Sequence, residues 1–259
     1  REETTHLVPV HGFDVPIDDV ARWDRVRADV GRIADRFGIP VLDVATNLRE
    51  LSDRIATWPL YHGGALAAVA HATGGVLSRI RIGSTHTYDE PFPWGSHPLL
   101  DHHWSSAAVD VRHDGAGATR FRKIELVAED PVALETLRVC YKNREGTLNC
   151  GRCAKCVRTM ISLAILGRLG DCGAFEAQLD ERAVASLPID DENERSFARE
   201  NLAAARERGA EPWLVRGLER ALARSRSATR HLTPRVLARR LYGRLPVAAR
   251  HRIRRLLGR

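Results

Sequence analysis

The sequence predicts an α/β protein built on a doubly wound parallel sheet, and three observations carry the prediction. Short apolar runs alternate with stretches of helical period over roughly the first 170 residues, glycine- and histidine-rich loops follow those runs, and a cysteine cluster at 140–156 gives way to purely helical patterning. Such alternation is the pattern of parallel strands joined by crossover helices, and it places loops at strand carboxyl ends, where open α/β sheets bind ligands.

Residues 6–10 form an apolar run ending at His11-Gly12-Phe13-Asp14, read as a buried strand opening into a loop. Asp18 or Asp19 caps a helix whose apolar side is Val20, Trp23, Val26, Val30, Ile33 and Ala34, and Phe37-Gly38 stops it. Residues 40–44 give the next strand, 47–55 a short helix, 63–72 a small-residue helix able to pack closely, and 77–82 a third strand. That strand runs into Gly83-Ser84-Thr85-His86, and a long loop follows with Trp94, Ser96, His97, Asp101, His102, His103 and Trp104. The two tryptophans read as loop-packing residues. Residues 108–111 and 124–127 fit either strand or helix, 131–139 a short helix and 157–169 a longer one. Acidic helical patterning at 176–187, 192–208 and 212–224 predicts a helical appendage. The domains are thus an α/β body at 1–172, the appendage at 173–225 and an Arg-rich amphipathic tail at 226–259.

Cys140, Cys150, Cys153 and Cys156 supply two overlapping Cys-x-x-Cys steps and a fourth thiol ten residues upstream. This spacing suits a closed tetrahedral site, so Zn2+ in a structural knuckle is the expectation. An iron–sulfur cluster accepts the same ligands, and reduced thiols or a disulfide pair are the plain alternatives. Cys172 has no evident partner and reads as a small buried apolar side chain. Cysteines clustered for metal fit a reducing compartment, and no apolar run is long enough to span a bilayer, so a cytoplasmic location is expected.

The net charge of +7 is unevenly spread. Residues 220–259 hold thirteen arginines and no acid, leaving 27 basic and 33 acidic residues elsewhere. The tail therefore fits RNA, an acidic membrane or an acidic partner, and equally a solvated extension. The whole chain has three lysines, Lys123, Lys142 and Lys155, so its arginine bias is general.

The order of elements over about residues 7–170 and the quadruple cysteine resemble the PP-loop ATP pyrophosphatases, most closely the 7-cyano-7-deazaguanine synthase branch. The matching residues are Phe13-Asp14 at a strand end, Ile82-Gly83-Ser84 at another, and Cys140 with Cys150, Cys153 and Cys156 as the family's zinc ligands. The resemblance implies a Rossmann-like fold of the HUP type and ATP and Mg2+ as requirements. Its chemistry is adenylation of a small carboxylate or carbonyl substrate, followed by attack of ammonia or another nucleophile. It places Phe13 and Asp14 beside the adenine and Arg120, Arg122 and Lys123 near the nucleotide. Two departures stand out. The Ser-Gly-Gly-x-Asp-Ser phosphate loop occurs nowhere in the chain, whose Arg1 start reads as that of a fragment or of a degenerate homologue. The loop after Gly83 also differs from that of the deazaguanine synthases, which implies a different substrate.

From the residues themselves, Gly83 permits close backbone approach and Ser84 and Thr85 offer hydroxyls to a nucleotide or substrate. Seven of the eleven histidines fall between His62 and His113, and His86, His97 and Asp101 are the candidates for acid–base work. A surface or structural role is the alternative for each histidine, and a solvated basic edge for Arg120, Arg122 and Lys123. A tRNA-thiolating enzyme and a non-catalytic zinc-stabilised module are the other functional expectations.

Overall fold

The computed structural model describes residues 4–143, 146–176 and 178–230, with side chains to residue 225. The tail from residue 231 lies outside the described residues.

Strand β1 (Val10–His11) leads through the Gly12 turn to helix α1 (Val20–Phe37). Asp19 caps α1 by accepting from the Arg22 amide, and Gly38 ends it in the left-handed region at φ 64°, where a side chain would be strained. Strand β2 (Val44–Ala45) returns parallel to β1, and a bridge between Leu7 and Val41 extends the pair toward its amino end. Helix α2 (Leu48–Ser52) and helix α3 (Trp58–Ala72) follow, then strand β3 (Arg79–Gly83). Strand β4 (Asp110–Asp114) pairs parallel with β3 from Arg79↔Asp110 to Gly83↔Asp114, which assigns the ambiguous 108–111 segment to a strand. The other ambiguous segment is helical, within α4 (Arg120–Ala128), whose first amides are served by Thr119 and by Glu200. Helices α5 (Pro131–Glu135) and α6 (Ala154–Ile165) flank the cysteine cluster, and α7 (Glu181–Ala185), α8 (Glu192–Glu207) and α9 (Pro212–Arg230) complete the described chain.

Among the described residues the strands form two parallel pairs, β1–β2 and β3–β4. A groove of about 960 Å³ separates them, lined by Val8 and Val10 on one side, Ile80 and Ile82 on the other, and Leu66 and Val69 of α3. Strand pairing needs backbones about 4.8 Å apart, and no strand of the described residues stands between β1 and β3. Helix α3 binds the pairs together instead. Ala65 and Val69 pack with Val8, Val10 and Val44, while Ala67 and Ala70 pack with Ile82, Val109 and Val111, and Leu66 touches both groups.

The small residues of α3 also serve the long loop. Gly95 donates to the Pro59 carbonyl and accepts from the Gly63 amide, so the loop backbone enters the helix's own hydrogen-bond ladder. A Cβ at Gly63 would stand 2.1 Å from the Gly95 oxygen, so the close approach requires glycine. The largest core joins α4 and α6 to the C-terminal helices: Phe121, Val157, Ile161 and Ile165 pack with Val184, Leu187, Ala198, Leu214 and Leu218. Each such leucine or isoleucine contributes about 1.5–3 kcal/mol by leaving water. Packing of α8 on α6 is what brings Glu194 and Phe197 against Arg158.

Candidate metal centre and cationic crevice

The cysteine cluster forms where α6 begins. Cys153 is the N-cap residue of α6, and its sulfur accepts from the Cys156 amide one turn on. The ligand atoms of Cys140, Cys150, Cys153 and Cys156 all lie within 4.8 Å of one another. The Cys140–Cys153, Cys150–Cys156 and Cys153–Cys156 sulfurs are 3.9, 4.0 and 3.4 Å apart. Four sulfurs at ~2.3 Å from one tetrahedral ion stand roughly 3.8 Å apart, so the donor set and its spacing fit a single zinc-sized ion. None of the five cysteines is in a disulfide. Hydrogen bonds from Cys156 hold the Cys153 thiol below the usual range, while the same contact pushes Cys156 up and burial raises Cys140. Cys172, in line with expectation, is buried apart from the cluster and donates to the Leu134 carbonyl.

The cluster is knit into the body. Asn149 accepts from the amides of Val139 and Cys140 and donates to the carbonyls of Leu137 and Ala174. The buried Arg22 of α1 donates to the Thr147 and Asn143 carbonyls, and Asn143 donates to the carbonyl of Asp14. The ten-residue step from Cys140 to Cys150 is thereby fastened to the loop after β1.

Beside the cysteine cluster, Arg120, Lys123, Lys155 and Arg158 form one group of mutually interacting cations, the cationic crevice, with Ser84 after β3 and Asp14 after β1 at its edges. Lys123 donates to the Ser84 carbonyl and hydroxyl at 3.0 and 2.6 Å. Arg120 and Arg158 approach the Phe197 ring at 5.8 and 4.1 Å from its centroid. Lys155 feels the charges of Asp14, Arg158 and Arg120. Burial, then repulsion from Arg158, lowers Arg120 to about 10. Burial also lowers Lys123 and Lys155, with Arg120 adding to the effect at Lys123. Glu194, 3.1 Å from Arg158, is raised by its own burial. Crowded, desolvated cations of this kind are what an anion relieves.

Two atoms in this crevice have no hydrogen-bond partner although they are buried, Arg120 Nε and His86 Nε2. His86 lies among Phe92, Trp94 and Phe197, at 5.2, 5.8 and 5.7 Å between ring centroids. Burial and the charges of Arg120 and Arg158 push it down to about 4, so it is neutral at pH 7. Buried polar atoms are ordinarily paired, and these two share the Arg120–Arg158–Phe197 surroundings.

The residues expected from sequence divide accordingly. Ser84, His86, Arg120 and Lys123 come together in the crevice, with Asp14 within charge range of Lys155. Phe13 is buried against Trp58, 5.0 Å between rings, in the core shared by β1, β2 and α3 rather than among the cations. Gly83 is exposed at the end of β3 with open space where a Cβ would stand, and Thr85 is half-buried beyond it. Arg122 points away from the crevice, exposed and paired with Glu125 on its own helix. Asp101 is fully buried and accepts from Ser96 Oγ at 2.6 Å, His113 Nδ1 at 2.7 Å and the His97 amide at 3.1 Å, anchoring the loop to β4. His97 accepts from the Leu99 amide within the same turn. Trp94 packs against His62 and His86, as a loop-packing role requires, while Trp104 lies over Gly64 and stays 42% exposed.

Lys155, Arg158, Glu194 and Phe197 were not singled out by the sequence. For Lys155 a signal existed: the chain has three lysines, and two of them, Lys123 and Lys155, enter the crevice. Nothing in the local pattern distinguishes Phe197 or Glu194 from the other residues of an amphipathic helix.

Comparisons with protein-family models, curated proteins and solved structures give no match to this chain. No helix among the described residues is long and apolar enough to cross a membrane.

Proposed function

We propose that the chain belongs to an ATP-dependent ligase of the PP-loop type, which adenylates a small carboxylate and passes the acyl group to ammonia or another nucleophile. One observation carries this reading: Arg120, Lys123, Lys155 and Arg158 form one group of mutually interacting cations edged by Ser84 after β3 and Asp14 after β1, with unpartnered Arg120 Nε and His86 Nε2 beside them. The doubly wound sheet of that family supplies the rationale for a crevice at this place.

In the proposed reaction a carboxylate oxygen attacks the α-phosphorus of ATP, the bond to the bridging oxygen breaks, and pyrophosphate leaves. The nucleophile then adds to the acyl carbon and AMP departs. Charge builds on the leaving pyrophosphate, and the four cations stabilise it in a site that excludes much water. Gly83 lets the substrate approach the backbone, and the unpartnered ring nitrogen of neutral His86 is available to hydrogen-bond the substrate or the incoming nucleophile. Mg2+ would neutralise further phosphate charge. The phosphate loop Ser-Gly-Gly-x-Asp-Ser is not among these 259 residues, so this chain's own contribution is the cationic wall and the zinc-type knuckle.

The test is calorimetric titration of the metal-loaded chain with ATP, pyrophosphate and sulfate, followed by pyrophosphate-release assays over a panel of carboxylates with ammonia. Binding that weakens about tenfold or more in Arg158→Ala is the expected result, since a hydrogen bond to a charged group is worth about 1.5–3 kcal/mol. No binding of any of these anions would sink the reading.

A further inference from the structure

The start of α6 carries two of the four cysteines and two of the four crevice cations. Cys153 and Cys156 face the cluster, and Lys155 and Arg158, also three apart, share the neighbouring face. The side chain of Arg158 is only 9% exposed, held between Glu194 and Phe197. On the other side Tyr141, the residue after Cys140, lies against both Lys142 and Lys155 at 4.9 Å. Through Asn143 the same segment holds the carbonyl of Asp14. Three components of the crevice, the Asp14 loop, Lys155 and Arg158, are therefore fastened to the ends of the cysteine cluster.

We propose that metal occupancy of the four-cysteine site sets the oxyanion affinity of the crevice, by fixing the first turn of α6 and the Asn143–Asp14 contact. This rests on the crevice reading given above. Two effects oppose each other. Four thiolates around a divalent ion leave a net negative cluster, which repels an anion through space. Against this, a bound ion fixes the helix end that carries Lys155 and Arg158 before the anion arrives, so binding need not pay for ordering that first turn and the Lys155 side chain. Tyr141 follows Cys140 in the chain and holds both lysine ammonium groups over its ring, whose positive charge offsets part of that repulsion, so preorganisation wins and the metal-loaded chain binds anions more tightly.

Reciprocity gives the test: if metal tightens anion binding by some factor, the anion tightens metal binding by the same factor. The probe is sulfate, a tetrahedral oxyanion with little tendency to chelate zinc, titrated into zinc-loaded and chelator-stripped protein at matched chloride ionic strength. The expected result is about tenfold weaker sulfate binding after stripping, within the usual range of such couplings, with helix content retained by circular dichroism. If stripping unfolds the chain, the second measurement uses loaded protein alone. Sulfate should then slow zinc transfer to a chelator about tenfold, and Arg158→Ala should abolish that slowing. Equal affinities in both states, tighter binding by stripped protein, or zinc release indifferent to sulfate would each overturn the coupling while leaving the crevice intact. Failure of loaded protein to bind sulfate would remove the crevice reading and the coupling with it.

Discussion

Replacing Asp101 tests whether this carboxylate builds the loop or performs chemistry. It is fully buried, and three donors end on it: Ser96 Oγ and His113 Nδ1 on one oxygen, the His97 amide on the other. Asp101→Ala leaves all three donors without an acceptor in a site water does not reach. Unsatisfied buried groups cost about 1–3 kcal/mol each, so the loss should be about 3–9 kcal/mol. That is a large share of the about 5–15 kcal/mol by which folded domains are stable. Asp101→Asn keeps the oxygen facing the His97 amide and places an amide nitrogen where two donors now meet. The Ser96 hydroxyl can rotate to accept, and His113 can change tautomer, so the cost should fall to about 1–3 kcal/mol. Urea unfolding followed by circular dichroism measures both, the midpoint shifting with an unchanged slope. If both variants stayed within about 0.5 kcal/mol of the parent, the range of neutral surface changes, the hub assignment would be wrong. If Asp101→Asn abolished activity at full stability, the carboxylate would be catalytic instead.

Four further outcomes are expected. His86 is neutral in the folded chain down to about pH 4, below the usual 6.5. Its depressed value means stability present above pH 6.5 is lost as pH falls toward 4; after discount for its partial exposure the loss is about 1–2 kcal/mol, and stability of His86→Gln should fall less over that window. Gly63→Ala should cost about 1–3 kcal/mol by overpacking the Gly95 carbonyl, and an unchanged melting temperature would contradict the close approach. Cys153→Ser should release the metal and destabilise the chain, read as metal content and melting temperature together. Deleting residues 231–259 should leave the melting temperature within a degree or so while removing any salt-sensitive RNA affinity; retained affinity would place RNA binding elsewhere.

The sequence by itself determined the local architecture and the metal-binding potential. Asp19 and Gly38 mark the ends of α1 because capping is a contact of a few residues with the backbone beside them, whereas the start of α7 at Asp180, inside the 176–187 stretch, needed the structure. The four cysteines were legible for the same reason, since three of them meet across one short turn. Segment 124–127 was ambiguous because four apolar-biased residues satisfy a strand or a helix, and only packing of Phe121 and Ile124 on neighbouring helices resolved it. Tertiary structure alone decided that β1–β2 and β3–β4 stand apart with α3 spanning them, and that Phe197 and Glu194 come back to meet Arg120 and Arg158. It also placed Ser96, His97 and His113 around Asp101 as hydrogen-bond donors. Those outcomes depend on contacts between residues far apart in the chain, whose energies come from burial and charge in a shared space that no local pattern encodes.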